Sequence, residues 1–279
     1  MKNLVLIPNV NKDKGFSVTD TVASKLLSLG FNVYVHSDVG YKRDGVVVYD
    51  TMPEDIDLTV VIGGDGSVID ASGLAVERDI PILGVNLGRM GYLTEVELGE
   101  ISLLDNLASG EYSVTEKMLL SVELPTGECE RYAVNDVTVS RDSLLHIADI
   151  KIEDSINNAV KLRADGVILS TPQGSTAYSF SAGGPILAHD VEGILLTPVS
   201  AHSFFNRSVL FNAADVIKVT NAGSLPLNVS VDGRAVGTLS ENEQCIVKRA
   251  STNVKILTFK KNSMFSSLFK KMRILGDID

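Results

Sequence analysis

The chain has 279 residues, 44% of them hydrophobic and 22% charged, a balance that suits a globular protein and argues against wholesale disorder. Its formal net charge of −10 speaks against a nucleic-acid binder, which needs a basic face to neutralise phosphates, but allows a small anion held by backbone N–H groups. Cysteine occurs only at Cys129 and Cys245, too sparse for a disulfide framework and outside any metal-ligand spacing, so reduced thiols in a cytoplasmic protein are expected.

In chain order, residues 4–7 form an apolar run closed by Pro8, a buried strand too short for a signal-peptide core. No stretch reaches the ~20 apolar residues of a membrane span, so no membrane partner is expected. Thr19 or Asp20 can cap a helix carrying Val22, Leu26, Leu27 and Leu29, with Gly30 as its stop. Residues 31–35 and 46–49 read as further strands. Residues 58–62 run straight into Gly63-Gly64-Asp65-Gly66-Ser67, residues 68–76 continue as a helix, and 80–85 are the next strand. This β-α-β rhythm predicts an α/β domain with a mainly parallel sheet.

From about Thr115 the period changes. Residues 119–124, 132–139, 147–152, 167–170, 209–211, 216–219, 227–231 and 245–248 read as short strands between turns, which predicts a second, all-β domain. One helix is expected inside it, at 175–182. Near the end, Met264, Phe265, Leu268, Phe269 and Met272 share a helical face behind Ser263 as N-cap, a tail helix fit to dock on its own protein. The boundaries follow as 1–114 for the α/β domain and 115–255 for the β-rich one.

The glycine loop follows a strand and opens a helix. Its glycines let backbone approach a ligand closely, and the helix start offers unpaired N–H groups to anionic oxygen. It also sits at the carboxyl end of a strand, where open α/β sheets bind ligands. Asp65 would repel phosphate unless it has a task, such as accepting a proton from a hydroxyl or holding Mg²⁺. The Walker, Rossmann and protein-kinase signatures are all missing. A second dense segment, 163–185, gathers Asp165, Ser170, Thr171, Ser175, Thr176, Tyr178, Gly183 and Gly184. Its hydroxyls and small residues suit nucleotide recognition, and Ala177 would let a flat base come near. Arg89, Arg163, Arg207 and Arg234 are the cations near these motifs.

These residues together resemble the NAD kinase family. The GGDGS loop is similar to that family's GGDG(T/S). The run 86–94, Asn-Leu-Gly-Arg-Met-Gly-Tyr-Leu-Thr, resembles its N-x-G-x-x-G-[FY]-L segment. Asn135-Asp136 resembles its N-[ED] pair, and 165–185 its long D-G-x-x-x-[ST]-T-P-x-G-S-T-A-Y-x-x-S-A-G-G-P signature. Residues 197–203 and 231–233 complete the series.

The resemblance implies transfer of the γ-phosphoryl group of ATP, with Mg²⁺ or another divalent cation, to the 2′-hydroxyl of the adenosine ribose of NAD, giving NADP. It implies a phosphofructokinase-like α/β N-terminal domain, a β-sandwich-like C-terminal domain, a cleft between them, and a tail, 256–279, that returns to the first domain. Homodimers or homotetramers are implied, with part of the NAD site supplied by a neighbouring subunit. By position, Asp65 would orient or deprotonate the 2′-hydroxyl, and Gly63, Gly64, Gly66 and Ser67 would cradle phosphate. Asn135 would meet the adenine end of NAD and Asp136 a ribose. Asp165 would belong to the nicotinamide side, and Thr176, Ala177 and Tyr178 would surround the adenine. Ser67 stands where threonine is commoner and Asp136 where glutamate is common. Two rival readings are a diacylglycerol-type lipid kinase, which shares a GGDG loop but lacks the 165–185 signature, and a non-catalytic dinucleotide sensor, against which Asp65 speaks.

Overall fold

The computed structural model describes residues 1–88, 91–127, 131–143, 146–188 and 190–259, so Arg89, Met90, Cys129, His189 and the expected tail helix lie outside the described residues. The chain divides into two units. The first holds 1–116 with, among the described residues, 254–259; the second holds 117–253.

Unit one runs β1 (Asn3–Pro8), α1 (Ser17–Ser28), β2 (Asn32–His36), β3 (Val46–Tyr49), β4 (Leu58–Gly63), α2 (Asp65–Glu77), β5 (Ile82–Asn86) and α3 (Asp105–Ser109). Its sheet is parallel in the order β5-β4-β1-β2-β3, and Ile256 pairs with Ile82, also in parallel, on the far side of β5. Every residue of β4 is buried, which is why its sequence is a continuous apolar run rather than an alternating one. The helices pack Val22, Ala23 and Leu26 of α1, and Val68, Ala71 and Ala75 of α2, into the unit. Right-handed crossovers place α1 and α2 on opposite faces, because the chain leaves β1 and β4 in opposite directions.

Unit two is made of β6 (Ser113–Glu123, entering from unit one), β7 (Arg131–Ala133), β8 (Asp136–Arg141), β9 (Ala148–Glu153), β10 (Ala159–Ala164), β11 (Gly166–Ser170), a short α4 (Tyr178–Ser181), β12 (Gly193–Val199), β13 (Val209–Asn212), β14 (Val216–Asn221), β15 (Leu227–Val231), β16 (Arg234–Leu239) and β17 (Gln244–Thr258, leaving for unit one). One antiparallel sheet has the order β13-β12-β11-β8-β15-β16; the other runs β10-β9-β14-β17, with β6 beside β17 and β7 beside β6. Alternate residues of both sheets, among them Val137, Val139, Val167 and Leu169 from one and Ile150, Ile152, Ile217 and Val219 from the other, form one apolar core. That is the two-layer packing of a sandwich.

Several expectations shift. The start of α1 is not capped by Thr19 or Asp20. It begins at Ser17 after Phe16 at φ 60, and the carboxylate of Asp13 accepts from the N–H groups of Val18 (3.1 Å) and Thr19 (2.7 Å). The strand expected over 132–139 is two strands, β7 and β8, separated by Val134 and Asn135. The helix expected at 175–182 is a 3₁₀ turn, Gln173–Thr176, followed by α4. The run 245–248 is a fragment of the 15-residue β17. Cys245 is a free, buried thiol, which burial pushes up to about 12.

Candidate active site

The glycine loop joins β4 to α2, with Gly64 as the extended N-cap at φ −114. Within the first helical turn Ser67 N already bonds Gly64 O (2.9 Å), whereas the N–H groups of Asp65 and Gly66 precede the first intrahelical bond and are available to an anion. Leu87 N donates to Gly63 O (2.9 Å), tying the loop to the end of β5.

Asp65 is half-buried, and both its oxygens are engaged. Oδ2 accepts from Tyr92 N (2.8 Å) and Oδ1 from Leu93 N (2.9 Å). A side-chain carbon at Gly91 would overlap Asp65 Oδ1, so glycine there lets the segment after β5 close on the carboxylate. Each oxygen keeps a lone pair for a hydroxyl or a cation, and the two N–H bonds fix the plane of the group. Burial, followed by the charge of Asp65, raises the Tyr92 phenol above its usual range. The Asn-x-Gly of this segment is a turn. Asn86 Oδ1 accepts from Gly88 N (3.1 Å), and its Nδ2 reaches Gly88 O (3.2 Å) and Glu97 Oε2 (2.9 Å).

Sequence reasoning missed two residues here. Asn9, directly after β1, donates through Nδ2 to Ser67 Oγ (2.8 Å). Lys12 brings its Nζ to 3.3 Å from the place a side-chain carbon on Gly64 would occupy. Neither lies in a recognisable motif, and only the sheet order brings them to the glycine loop.

In unit two, Asn135 and Asp136 sit at the break between β7 and β8, and the break is organised by Asp232. Its carboxylate accepts from Val134 N (2.8 Å), Asn135 N (2.8 Å) and Asp136 N (3.0 Å). Asp232 (φ 47) and Gly233 (φ 78) also form the tight turn between β15 and β16, so this residue is both a hairpin turn and a clamp. Asp136 is 5% exposed. Burial and the neighbouring Asp232 push its carboxyl up to about 6, against a hydrogen bond from Thr138 Oγ1 at 3.3 Å. Burial also raises Asp232, outweighing the three N–H bonds it accepts and the charge of Arg234.

The 170–177 segment lies on Asn135. Thr171 N donates to Asn135 O (2.9 Å), Thr171 Oγ1 to Val134 O (2.7 Å), and Gly174 N to Thr171 Oγ1 (2.9 Å). A side-chain carbon on Gly174 would overlap the backbone of Asn135, so this glycine is what allows the approach. The hydroxyls read from the sequence as ligand groups divide. Thr171 and Ser175 are buried and spent on the segment itself, Ser175 Oγ bonding Pro172 O (2.7 Å) and accepting from Leu187 N (3.0 Å). Thr176 and Ala177 are half-buried and Tyr178 is 48% exposed, so these three are open to a ligand.

Asp165 stands apart from this group. It precedes β11, whose Gly166 pairs with Ser140 and whose Ser170 pairs with Asp136. Five residue steps along the strand therefore separate it from Asp136, roughly 17 Å at ~3.4 Å per residue. It holds Arg141 Nη2 at 3.0 Å. Beside that pair is a cavity of about 260 Å³ lined in part by Arg141, His146, Asp149 and Asn221. His202 is exposed, its backbone N–H bonding Arg163 O (2.7 Å). Among the described residues no group of three or more His, Cys, Asp or Glu is placed to hold a metal ion.

Comparison with known proteins bears on both units. A sequence profile described as the ATP-NAD kinase N-terminal domain matches residues 4–112, and one described as the ATP-NAD kinase C-terminal domain matches 134–259. The NAD kinase of Caldanaerobacter subterraneus subsp. tengcongensis is 32% identical over 281 residues, covering 98% of this chain and 99% of that protein. The NAD kinase of Geobacter sulfurreducens is 33% identical over 285 residues, with 98% and 99% covered. Among solved structures, yeast NADH kinase complexed with NADH superposes with a TM-score of 0.81 at 22% identity, covering 98% of this chain and 87% of that one. An NAD kinase from Archaeoglobus fulgidus in complex with ATP gives a TM-score of 0.72 at 23% identity, with 98% and 99% covered. These structural likenesses bear on the fold.

Proposed function

The chain belongs to the ATP-NAD kinase family, and from that premise we propose that it transfers the γ-phosphoryl group of ATP to the 2′-hydroxyl of the adenosine ribose of NAD, giving NADP. The observation that carries the reading is the mounting of Asp65. Its carboxylate is fixed by two backbone N–H groups at the mouth of a glycine loop that offers helix N–H groups to phosphate.

Phosphoryl transfer demands positioning and charge neutralisation more than covalent help. Gly63, Gly64, Gly66 and Ser67 hold donor phosphate, and Asp65 orients the 2′-hydroxyl and takes its proton. Asn135 meets the adenine end of NAD, and Asp136 accepts from a ribose hydroxyl. Thr176, Ala177 and Tyr178 border the adenine, with Tyr178 as a stacking face. Magnesium enters as part of the donor, MgATP, since Mg²⁺ is commonly held by one or two carboxylates plus substrate phosphates. When bound, it neutralises charge on the phosphate chain. The strand of separation between Asp165 and Asp136 supports a homodimer or larger homo-oligomer in which Asp165 serves the nicotinamide side of a neighbouring subunit's site. The reaction is placed in the cytoplasm.

The test incubates the protein with ATP, Mg²⁺ and either NAD or a diacylglycerol, and follows NADP and phosphatidate. NADP formation is expected. Phosphatidate without NADP would transfer the reading to a lipid kinase, and neither product would leave a dinucleotide binder.

A further inference from the structure

Chain order and sheet order part company at one place in unit one. From β1 the chain steps outward through β2 and β3, then β4 returns to the other side of β1 and β5 continues beyond it. At such a reversal an open α/β sheet has a crevice off the carboxyl ends of the two flanking strands, and ligands bind there. The register sets Pro8 of β1 beside Ile62 of β4, so the loops that follow these two strands form the lips of that crevice. One lip is Gly63–Ser67. The other begins at Asn9 and carries Lys12.

The two lips are bonded together. Asn9 N donates to Ile62 O (2.8 Å), and Asn9 Nδ2 to Ser67 Oγ (2.8 Å). The turn that follows is wound on the same residue. Asn9 O accepts from Lys12 N (3.0 Å) and Asp13 N (2.9 Å), and Asn9 Oδ1 from Asn11 N and Lys12 N (3.2 Å each). This turn is what brings Lys12 Nζ against Gly64, 3.3 Å from where a side-chain carbon would stand.

Among the described residues the charge on Lys12 is not spent on a carboxylate. Asp13, its neighbour, is 3% exposed and turned to α1, where it bonds the backbone and hydroxyl of Thr19 (2.7 and 2.6 Å) and the N–H of Val18 (3.1 Å). Burial alone would raise its carboxyl, but these bonds outweigh it and hold it below the usual range. No carboxylate pairs with Lys12 among the described residues. In a protein of net charge −10, an uncommitted ammonium beside a glycine loop has an evident use. Of the cations the motifs single out, Arg163, Arg207 and Arg234 belong to unit two and Arg89 lies outside the described residues.

We infer that Lys12 is a phosphate-binding residue of the donor site, holding the phosphate chain of ATP from the β1 side while the glycine loop holds it from the β4 side. This rests on the reading of Gly63–Ser67 as the donor-phosphate loop. An ammonium with three rotatable donors suits a chain of phosphate oxygens as a point charge.

The experiment compares wild type with Lys12→Gln, Lys12→Arg and Ser67→Ala by steady-state kinetics in ATP and in NAD. Phosphorus NMR adds direct titrations with ATP and AMP, and thermal unfolding checks the fold. Lys12 is exposed, so Lys12→Gln should unfold as wild type does. The KM for ATP should rise about 10- to 100-fold, the range of a lost hydrogen bond to a charged group, with the KM for NAD within about twofold on the same grounds. ATP binding should weaken far more than AMP binding, and Lys12→Arg should recover most of the loss. A Lys12→Gln enzyme whose ATP affinity matches wild type, while Ser67→Ala weakens it, overturns the role of Lys12 and leaves the glycine loop intact. If neither change affects ATP binding, the donor-loop reading fails and the inference with it. Should the wild type make no NADP, the NMR titrations still decide on Lys12.

Discussion

Asp136→Asn should make the protein more stable and a worse NAD binder at once. The wild-type carboxyl is 5% exposed and pushed from 3.8 to about 6 by burial and by the facing Asp232. A carboxyl raised on folding contributes stability that is fully present below pH 3.8 and lost as pH rises through about 6, because the folded state then holds a proton that the unfolded chain releases. Two units at 1.36 kcal/mol each put the loss at about 3 kcal/mol by pH 7.5. Asparagine has the same shape, still accepts from Thr138 Oγ1, and leaves the three N–H bonds to Asp232 untouched. The two proteins should therefore unfold nearly alike in urea at about pH 3.5 and diverge between about pH 4 and 6, with the variant ahead by about 3 kcal/mol at pH 7.5. NAD affinity at pH 7.5 should fall about 10- to 100-fold as a charged acceptor is lost, and in wild type it should decline below pH 6. A stability difference that stays flat from pH 4 to 7.5 would refute the electrostatic account. Unchanged NAD affinity would remove Asp136 from the ribose.

Three further outcomes test the site. Asp65→Asn should leave NAD binding largely intact and lower kcat by about 100-fold or more, a usual general-base contribution; near-normal turnover would take Asp65 out of the chemistry. Gly91→Ala should cost turnover on the same scale without touching a substrate, because its methyl would displace the Asp65 carboxylate. A wild-type rate there would show that the latch on Asp65 is dispensable. Mixing inactive Asp65→Asn with inactive Asp165→Ala should restore about a quarter of the wild-type rate if sites are shared across a two-fold interface, since half the dimers are mixed and each has one intact site. No recovery after subunit exchange would reject the shared site.

Much of unit one was legible because its strands are buried on both faces, so β1, β4 and β5 announce themselves as apolar runs ending at Pro8, Gly63 and Asn86. The start of α1 was not, because its cap comes from Asp13, four residues before the helix and behind a left-handed Phe16 that no propensity favours. In unit two, β10 escaped notice because Lys161 and Arg163 alternate with Leu162 and Ala164 on a half-exposed strand. β12 was hidden by Pro198 near its end. The break at Val134 and Asn135 lies between two apolar runs that read as one strand across Asn135-Asp136, and it is held by Asp232, 97 residues from Asn135, which captures the N–H groups there. For the site, motif residues could be picked from the sequence, but not what their side chains do. Thr171 and Ser175 turn inward to brace the segment, whereas Lys12 has no motif and acquires its place only from the strand order.

The pairing of Asp136 with Asp232 is the feature of unit two that stability alone does not account for. Asp232 has structural work: it satisfies three N–H groups in the break before β8, and leaving such groups unpaired would cost about 1–3 kcal/mol each. Asp136 has no comparable partner. Among the described residues its carboxylate receives one 3.3 Å hydroxyl bond and faces a like charge. A neutral side chain would pack there at lower cost, so the charge persists for something outside the chain. On the proposed function a bound ribose would supply what is missing, since its hydroxyls can donate to a carboxylate. On this argument the clamp and the ligand group are separate devices on adjacent residues. Asp232 holds the backbone of Asp136 in place, and on the proposed function the destabilisation that Asp136 brings would be relieved on NAD binding.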